Sequence, residues 1–256
     1  MRSLIKSLTN SNFARIIRNN LNIKPLIFDV NKINYSASIS DAFAWRTDNG
    51  FKTKFKFSDI LNLFYQIEDS WVEIHFYSKK NVILKKEKIG SLSLSNEFEI
   101  SSEYLNGIED YGVFYIYHFS KKKIDNNNLI SNRCYLGFSK NNNLFSFVHG
   151  NTLARYKDIN NEREVYTDII KTSNFKNQNY KIQKYFVDFD LNELFFVNPT
   201  SKKINFSLNN LNYKLDPGYS QIIKTKKPIN LIKSNCLFLR PIIFSYKNDF
   251  MDVHHS

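Results

Sequence analysis

The feature that most constrains this chain is alternation. In FKTKFKF (51–57) lysines occupy positions 52, 54 and 56, while Phe51, Phe55 and Phe57 take alternate places between them. A period of two puts neighbours on opposite faces of an extended strand, so one face packs while the other meets water. WVEIHFY (71–77), SLSLSNEFEI (91–100), GVFYIYHF (112–119), YKIQKYFVDF (180–189), ELFFV (193–197) and KINFSL (203–208) are likewise rich in β-branched and aromatic residues. Between them lie turn signals: TDNG (47–50), KIDNNN (123–128), KNNN (140–143), NPTSKK (198–203) and LDPG (215–218). Many short strands and few helical stretches mean an all-β fold, a mostly antiparallel β-sandwich with short peripheral helices, immunoglobulin-like or jelly-roll-like in architecture.

Helix is expected only at the margins. Residues 1–25 read as a helical extension with basic residues and no acid, stopped by Pro25. Its apolar positions drift around the helix, which favours packing on the domain edge over membrane insertion. FSDILNLFYQI (57–67) reads as a short helix begun by Ser58 or Asp59, and 161–172 as a second helix or a surface crossover. Residues 26–256 form one two-sheet sandwich, with a possible internal boundary in the polar region 156–179. Its core should include Phe55, Phe57, Val113, Tyr115, Phe186, Phe195 and Ile243.

The 256 residues carry a formal charge of +12, and 42% of them are hydrophobic, ample for a packed core. The charge permits an anionic partner. The abundance of Asn, Lys, Ile, Phe and Tyr is equally the mark of an AT-rich genome, and KKK (121–123) is the longest basic run. No specific nucleic acid is therefore expected. No apolar run reaches the length of a transmembrane segment, and with no export signal visible the expected location is cytoplasmic. Cys134 and Cys236 then read as buried free thiols. The oligomeric state is not legible.

Strong catalytic motifs are absent: no phosphate loop, dinucleotide fingerprint, paired-cysteine zinc pattern, His-Glu-x-x-His or Gly-x-Ser-x-Gly occurs. No cofactor and no metal centre is expected, and whether the protein is an enzyme stays open. The most particular stretch is RCYLGFSKNNNLFSFVHGN (133–151). As a hairpin turning near Asn141 it sets Arg133 opposite His149, Tyr135 opposite Phe147 and Gly137 opposite Phe145 on one face. Cys134, Leu136 and Phe138 share the other with Val148, Ser146 and Leu144, and this aliphatic face is the better core. The aromatic face is then closed at one end by Arg133 and His149. Arg133, Tyr135, His149 and Asn151 become candidate ligand-binding residues for a polar, anionic or sugar-like molecule.

Further candidates lie elsewhere. SDAFAWRTDNGFKTKF (40–55) as a hairpin offers Trp45 and Arg46, a sugar platform if the ring is exposed and core if not. ELFFVNPTSKKINFSL reads as paired edge strands. In LFLRPIIF, Arg240 precedes Pro241, which an edge strand would tolerate. Asp252 and His254, two residues apart, point the same way but make too few ligands for a metal by themselves.

RCYLGF, FVHGN, NPTSKK, LRPIIF and MDVHHS, in that order, resemble a group of uncharacterised all-β bacterial proteins associated with surface-polysaccharide gene neighbourhoods. The likeness spans roughly residues 40–256 and implies a carbohydrate context, without catalytic residues to carry over. The leading expectation is a carbohydrate-associated sandwich that binds a polar or sugar-like ligand in surface-glycan production. The alternatives are an enzyme on a sugar or small polar substrate through His149 and Arg133, and a structural or assembly sandwich.

Overall fold

The computed structural model describes residues 9, 11–21, 23, 36–125, 128–132, 134–150, 153–160, 167–182, 189–236 and 239–255. The fold is all-β and mostly antiparallel. Among the described residues twenty strands, numbered in chain order, make five four-stranded sheets. Sheet I orders β12 (Thr167–Asp168), β11 (Leu153–Asp158), β1 (Ala37–Asp41) and β8 (Leu129–Ser131), the last pair parallel. Sheet II orders β2 (Phe43–Arg46), β7 (Tyr111–Ser120), β4 (Ser70–Ser78) and β5 (Ile83–Ile89). Sheet III orders β10 (Ser146–His149), β9 (Cys134–Lys140), β3 (Phe51–Ser58) and β6 (Ser95–Ile100). Sheet IV orders β17 (Ser220–Thr225), β14 (Leu191–Val197), β19 (Ile242–Lys247) and β20 (Phe250–His255). Sheet V orders β13 (Gln178–Lys181), β18 (Leu231–Ser234), β15 (Ile204–Leu208) and β16 (Leu211–Leu215).

Alternation builds the central layer. Phe51, Phe55 and Phe57 are buried while the lysines between them are partly exposed. The Phe55 ring meets Phe43 at 5.0 Å and Phe114 at 4.8 Å, both edge-on, which joins sheets II and III through one aromatic cluster. Sheet IV is covered on both faces. Phe195, Val197, Ile242 and Phe244 join the cluster of sheets II and III, while Leu194, Phe196, Ile223 and Ile243 pack on Ile204, Phe206 and Ile232 of sheet V. A doubly covered sheet needs apolar residues at successive positions, which is why ELFFV and IIF run unbroken. The other expected core residues, Val113 and Tyr115, are also buried; Phe186 lies outside the described residues.

Two expected hairpins are instead crossings between sheets. β2 pairs with β7, and β3 with β6 and β9, so TDNG turns a corner rather than closing a hairpin. Thr53 holds the corner: its hydroxyl accepts from the Arg46 N–H at 2.8 Å and donates to the Arg46 carbonyl at 3.0 Å. Likewise β14 and β15 belong to different sheets, and β14 lies inside its sheet. Asn198 staples that crossing. Its amide donates to the carbonyls of Lys202, Leu215 and Asp216, and its Oδ1 accepts from the N–H and hydroxyl of Thr200. Pro241 precedes β19, an internal strand, so no edge position is needed to accommodate it.

Helix is marginal: α1 (Asn12–Asn20) and α2 (Ile60–Tyr65), the latter capped by Asp59, whose Oδ1 accepts from the Asn62 N–H at 3.1 Å. Of the possible second helix, 161–166 lies outside the described residues, and Thr167–Asp168 is strand. No described helix is long and apolar enough to cross a membrane.

Candidate functional site

The opening hairpin forms, with the expected faces and a different register. Asn141 and Asn142 both take positive φ (53° and 61°), and the Asn143 N–H closes the turn on the Lys140 carbonyl at 3.1 Å. The ladder resumes only at Ser146, opposite Phe138. Tyr135 therefore lies opposite His149, and Gly137 opposite Phe147, in place of the expected Arg133–His149 and Tyr135–Phe147 pairs. The slip is two residues, so the side chains of the ladder keep their faces, whereas Leu144, expected on the core face, falls in the unpaired stretch before Ser146 and is 94% exposed. Cys134, Leu136, Phe138 and Val148 are buried. Tyr135 and Phe147 point outward, 49% and 43% exposed.

That outward face is a shallow aromatic platform. The Tyr135 and His149 rings lie 4.6 Å apart, and Phe145 and Phe147 6.2 Å apart. Phe147 lies over Gly137, so close that a β-carbon there would sit 2.6 Å from its ring. Lys54 and Lys56 of β3 reach the rings of Phe145 and Phe147 at 4.8 and 5.2 Å. Glu97 and Glu99 of β6 pair with this lysine row on its far side, Lys56 to Glu97 at 3.1 Å and Lys52 to Glu99 at 3.5 Å. At the turn end of the platform a surface cleft of about 700 Å³ opens between the β9–β10 and β19–β20 tips; Lys140, Leu144, Tyr246, Asn248 and Phe250 are in its lining.

The other end is gathered by sheet IV. Edge strand β20 runs alongside β10, and side chains join them: the Val253 N–H donates to Ser146 Oγ at 3.0 Å, and His255 Nε2 meets the His149 carbonyl at 2.8 Å. Burial, then the nearby charge of Arg240, lowers the His255 pKa to about 4, so its ring is neutral at pH 7 and donates that bond. His149, Tyr135, His255 and Arg240 thus converge. Asp41 packs against Gly150, the residue after His149, and its pKa is raised to about 6 by burial.

Of the candidate residues, Arg133 and Asn151 lie outside the described residues. Asp252 and His254 do share a face, but Asp252 accepts from Ser146 Oγ at 3.3 Å and His254 Nε2 meets Ser245 Oγ at 3.2 Å. Trp45 and Arg46 stand apart from this cluster. Trp45 is fully buried with its indole N–H on the Tyr77 carbonyl, which rules out an exposed platform there. Arg46 is buried over the Phe51 ring and bonds Asp48 at 2.8 Å and Glu193 at 2.6 Å, a junction between sheets II and IV. A second polar cluster, Glu73 with His75 at 3.2 Å and Lys157 at 2.9 Å, ties sheet II to sheet I. Among the described residues no three His, Cys, Asp or Glu side chains gather as a metal site.

Asp41, His255 and the lysines facing the aromatic rings were missed as site residues. The lysines had a signal, since alternation puts 52, 54 and 56 on the outward face beside β9. Asp41 and His255 had none, because strand neighbours from distant parts of the chain decide their surroundings. No protein-family profile matches the chain, and no curated protein matches it significantly in sequence.

Proposed function

We propose that this is a carbohydrate-associated β-sandwich protein that binds a polar saccharide in surface-glycan production. One observation carries the reading: an outward sheet face presents Tyr135, Phe147 and Phe145 as a shallow surface edged by Lys54 and Lys56. Sugar rings offer C–H faces to aromatic rings and hydroxyls or acid groups to the polar rim. A saccharide chain would run from the cleft at Leu144 and Phe250, across Phe145 and Phe147, to His149, with Arg240 close to that end. The open, shallow form favours binding over catalysis through His149 and Arg133, which would call for a closed cleft. Lysines beside the rings favour saccharides that carry acid groups.

The test is a glycan array of acidic and neutral polysaccharides, with and without divalent metal, followed by titration of the best binder. Tyr135→Ala and Phe147→Ala should each weaken binding roughly tenfold, about 1.4 kcal/mol, with little change in Tm. Absence of any glycan binding would refute the proposal. So would tight binding of a single-stranded oligonucleotide that both substitutions abolish, since aromatic rings with lysines also suit nucleic-acid bases.

A further inference from the structure

Asp41 is a carboxyl that the platform leaves unused. It closes β1, where the ladder to β11 shifts register between Ser40 and Asp41. Its Oδ2 lies 2.5 Å from where a side chain on Gly150 would begin, and the Phe43 ring crowds the same point. Residue 150 is thus confined to glycine, which lets the carboxyl reach the strand end immediately after His149. Asp41 is only partly exposed, and among the described residues its carboxyl makes no hydrogen bond or ion pair, only its backbone carbonyl accepting from Ser40 Oγ. A carboxyl without an internal partner, at a residue that is only partly buried, is left able to accept hydrogen bonds from a ligand.

We propose that Asp41 is a ligand-binding residue, its carboxylate accepting hydrogen bonds from adjacent hydroxyls of the sugar unit that passes beyond His149. The inference rests on the saccharide-binding reading and deepens it. The platform on sheet III contacts units along a chain through their ring faces. Asp41 lies beside Gly150, one residue past the end of β10, so only the unit at that end would reach it. Hydrogen bonds to a charged acceptor are the stronger kind, and they are stronger still away from water. The ionised form should therefore bind better, and the saccharide should in turn draw the Asp41 pKa down from about 6.

Other titrating groups stand close. Cys134 on β9 is in electrostatic contact with Asp41, and burial keeps its thiol protonated. His149 lies one residue from Gly150 on β10, with His255 and Arg240 beyond it. From β2 the neighbour is Phe43, and from β11 the strand partner is Leu153, neither of which titrates. The experiment removes the other groups by taking a ratio. Asp41→Asn keeps the shape and hydrogen-bonding capacity but mimics the neutral acid, so the fold should be retained, as circular dichroism checks. With an uncharged glucose hexasaccharide as probe, whose hydroxyls bring no like charge to the carboxylate, the Kd of Asp41→Asn relative to wild type should be roughly tenfold at pH 7.5 and approach unity below pH 5. Carbon-13 titration of the Asp41 carboxyl in the wild type should give a midpoint near 6 that falls when the saccharide is added. A ratio that stays flat with pH, or a midpoint that the saccharide does not move, overturns the proposal. If Tyr135→Ala loses binding while Asp41→Asn does not, only this inference fails. If the wild type binds neither the hexasaccharide nor any arrayed glycan, both readings fail together.

Discussion

Adding a single methyl group at Gly137 should damage the platform while leaving the fold intact. In Gly137→Ala the new carbon would lie 2.6 Å from Cε1 and 2.9 Å from Cζ of Phe147, whereas carbon atoms rest at about 3.5–4.0 Å. The ring must therefore move outward by about 1 Å or rotate away. It can do so, because those atoms are the far end of a side chain that is 43% exposed. Losing about 40 Å² of apolar contact costs about 1 kcal/mol at ~25 cal/mol per Å². Replacing a strand glycine by alanine returns roughly 0.5–1 kcal/mol. The two nearly cancel, so Tm should move by less than about 4 °C. Binding has no such compensation. A displaced ring forfeits about 1–1.5 kcal/mol of stacking, roughly tenfold in Kd by calorimetry. A fall in Tm of more than about 8 °C would show that the ring supports the fold, and an unchanged Kd would show that it is no part of the site. Either result refutes the reasoning.

Asn198→Ala should cost about 2–5 kcal/mol by urea denaturation, because it strands buried carbonyls of two connections at once; a loss under about 1 kcal/mol would mean that water replaces the amide. Burial acts to raise the Glu193 carboxyl, but Arg46, aided by Tyr246 and Lys224, more than reverses this and holds it at about 2 against an ordinary 4.5. Its stabilisation is complete above pH 4.5 and lost as pH falls toward 2. Glu193→Gln should therefore lower Tm at pH 7, and the gap to wild type should narrow across that window. Burial lowers His118 from 6.5 to about 4, so the unfolded chain takes up its proton first and Tm should begin to fall below pH 6.5. In His118→Phe that first decline should shrink. Neither Cys134 nor Cys236 should react with a thiol reagent at pH 8 in the native state, since both are buried and the Cys236 thiol is pushed up to about 12; both should react in denaturant.

Much of the fold was legible because alternation is a local property. Which face of the paired residues of β9 and β10 turns inward followed from their place in the pattern, and a two-residue slip at Asn141–Asn142 left those faces unchanged, though it left Leu144, expected inward, outside the ladder and exposed. Register was not legible. It depended on two asparagines adopting positive φ together and on an unpaired stretch before Ser146, where several turns would have suited the same letters. The candidate site was half legible. Tyr135 and His149 stood out as polar or aromatic residues on the outward face, and the structure brings Arg240 near them through His255.

The sequence by itself determined strand as the dominant state, the alternation of buried phenylalanines and outward lysines in 51–57, the turn positions and the two buried thiols. These depend on spacing between neighbours and on the solubility of side chains. Only the tertiary structure decided that TDNG and NPTSKK carry the chain between sheets, that β14 and β19 lie inside a sheet covered on both faces, and that Asp41 ends against Gly150. Partners in a sheet are chosen by hydrogen bonds and packing between segments far apart in the chain. A carboxyl's pKa is set by whatever those segments place around it, and no local pattern around Asp41 records that Phe43, Gly150 and the end of β10 would meet there.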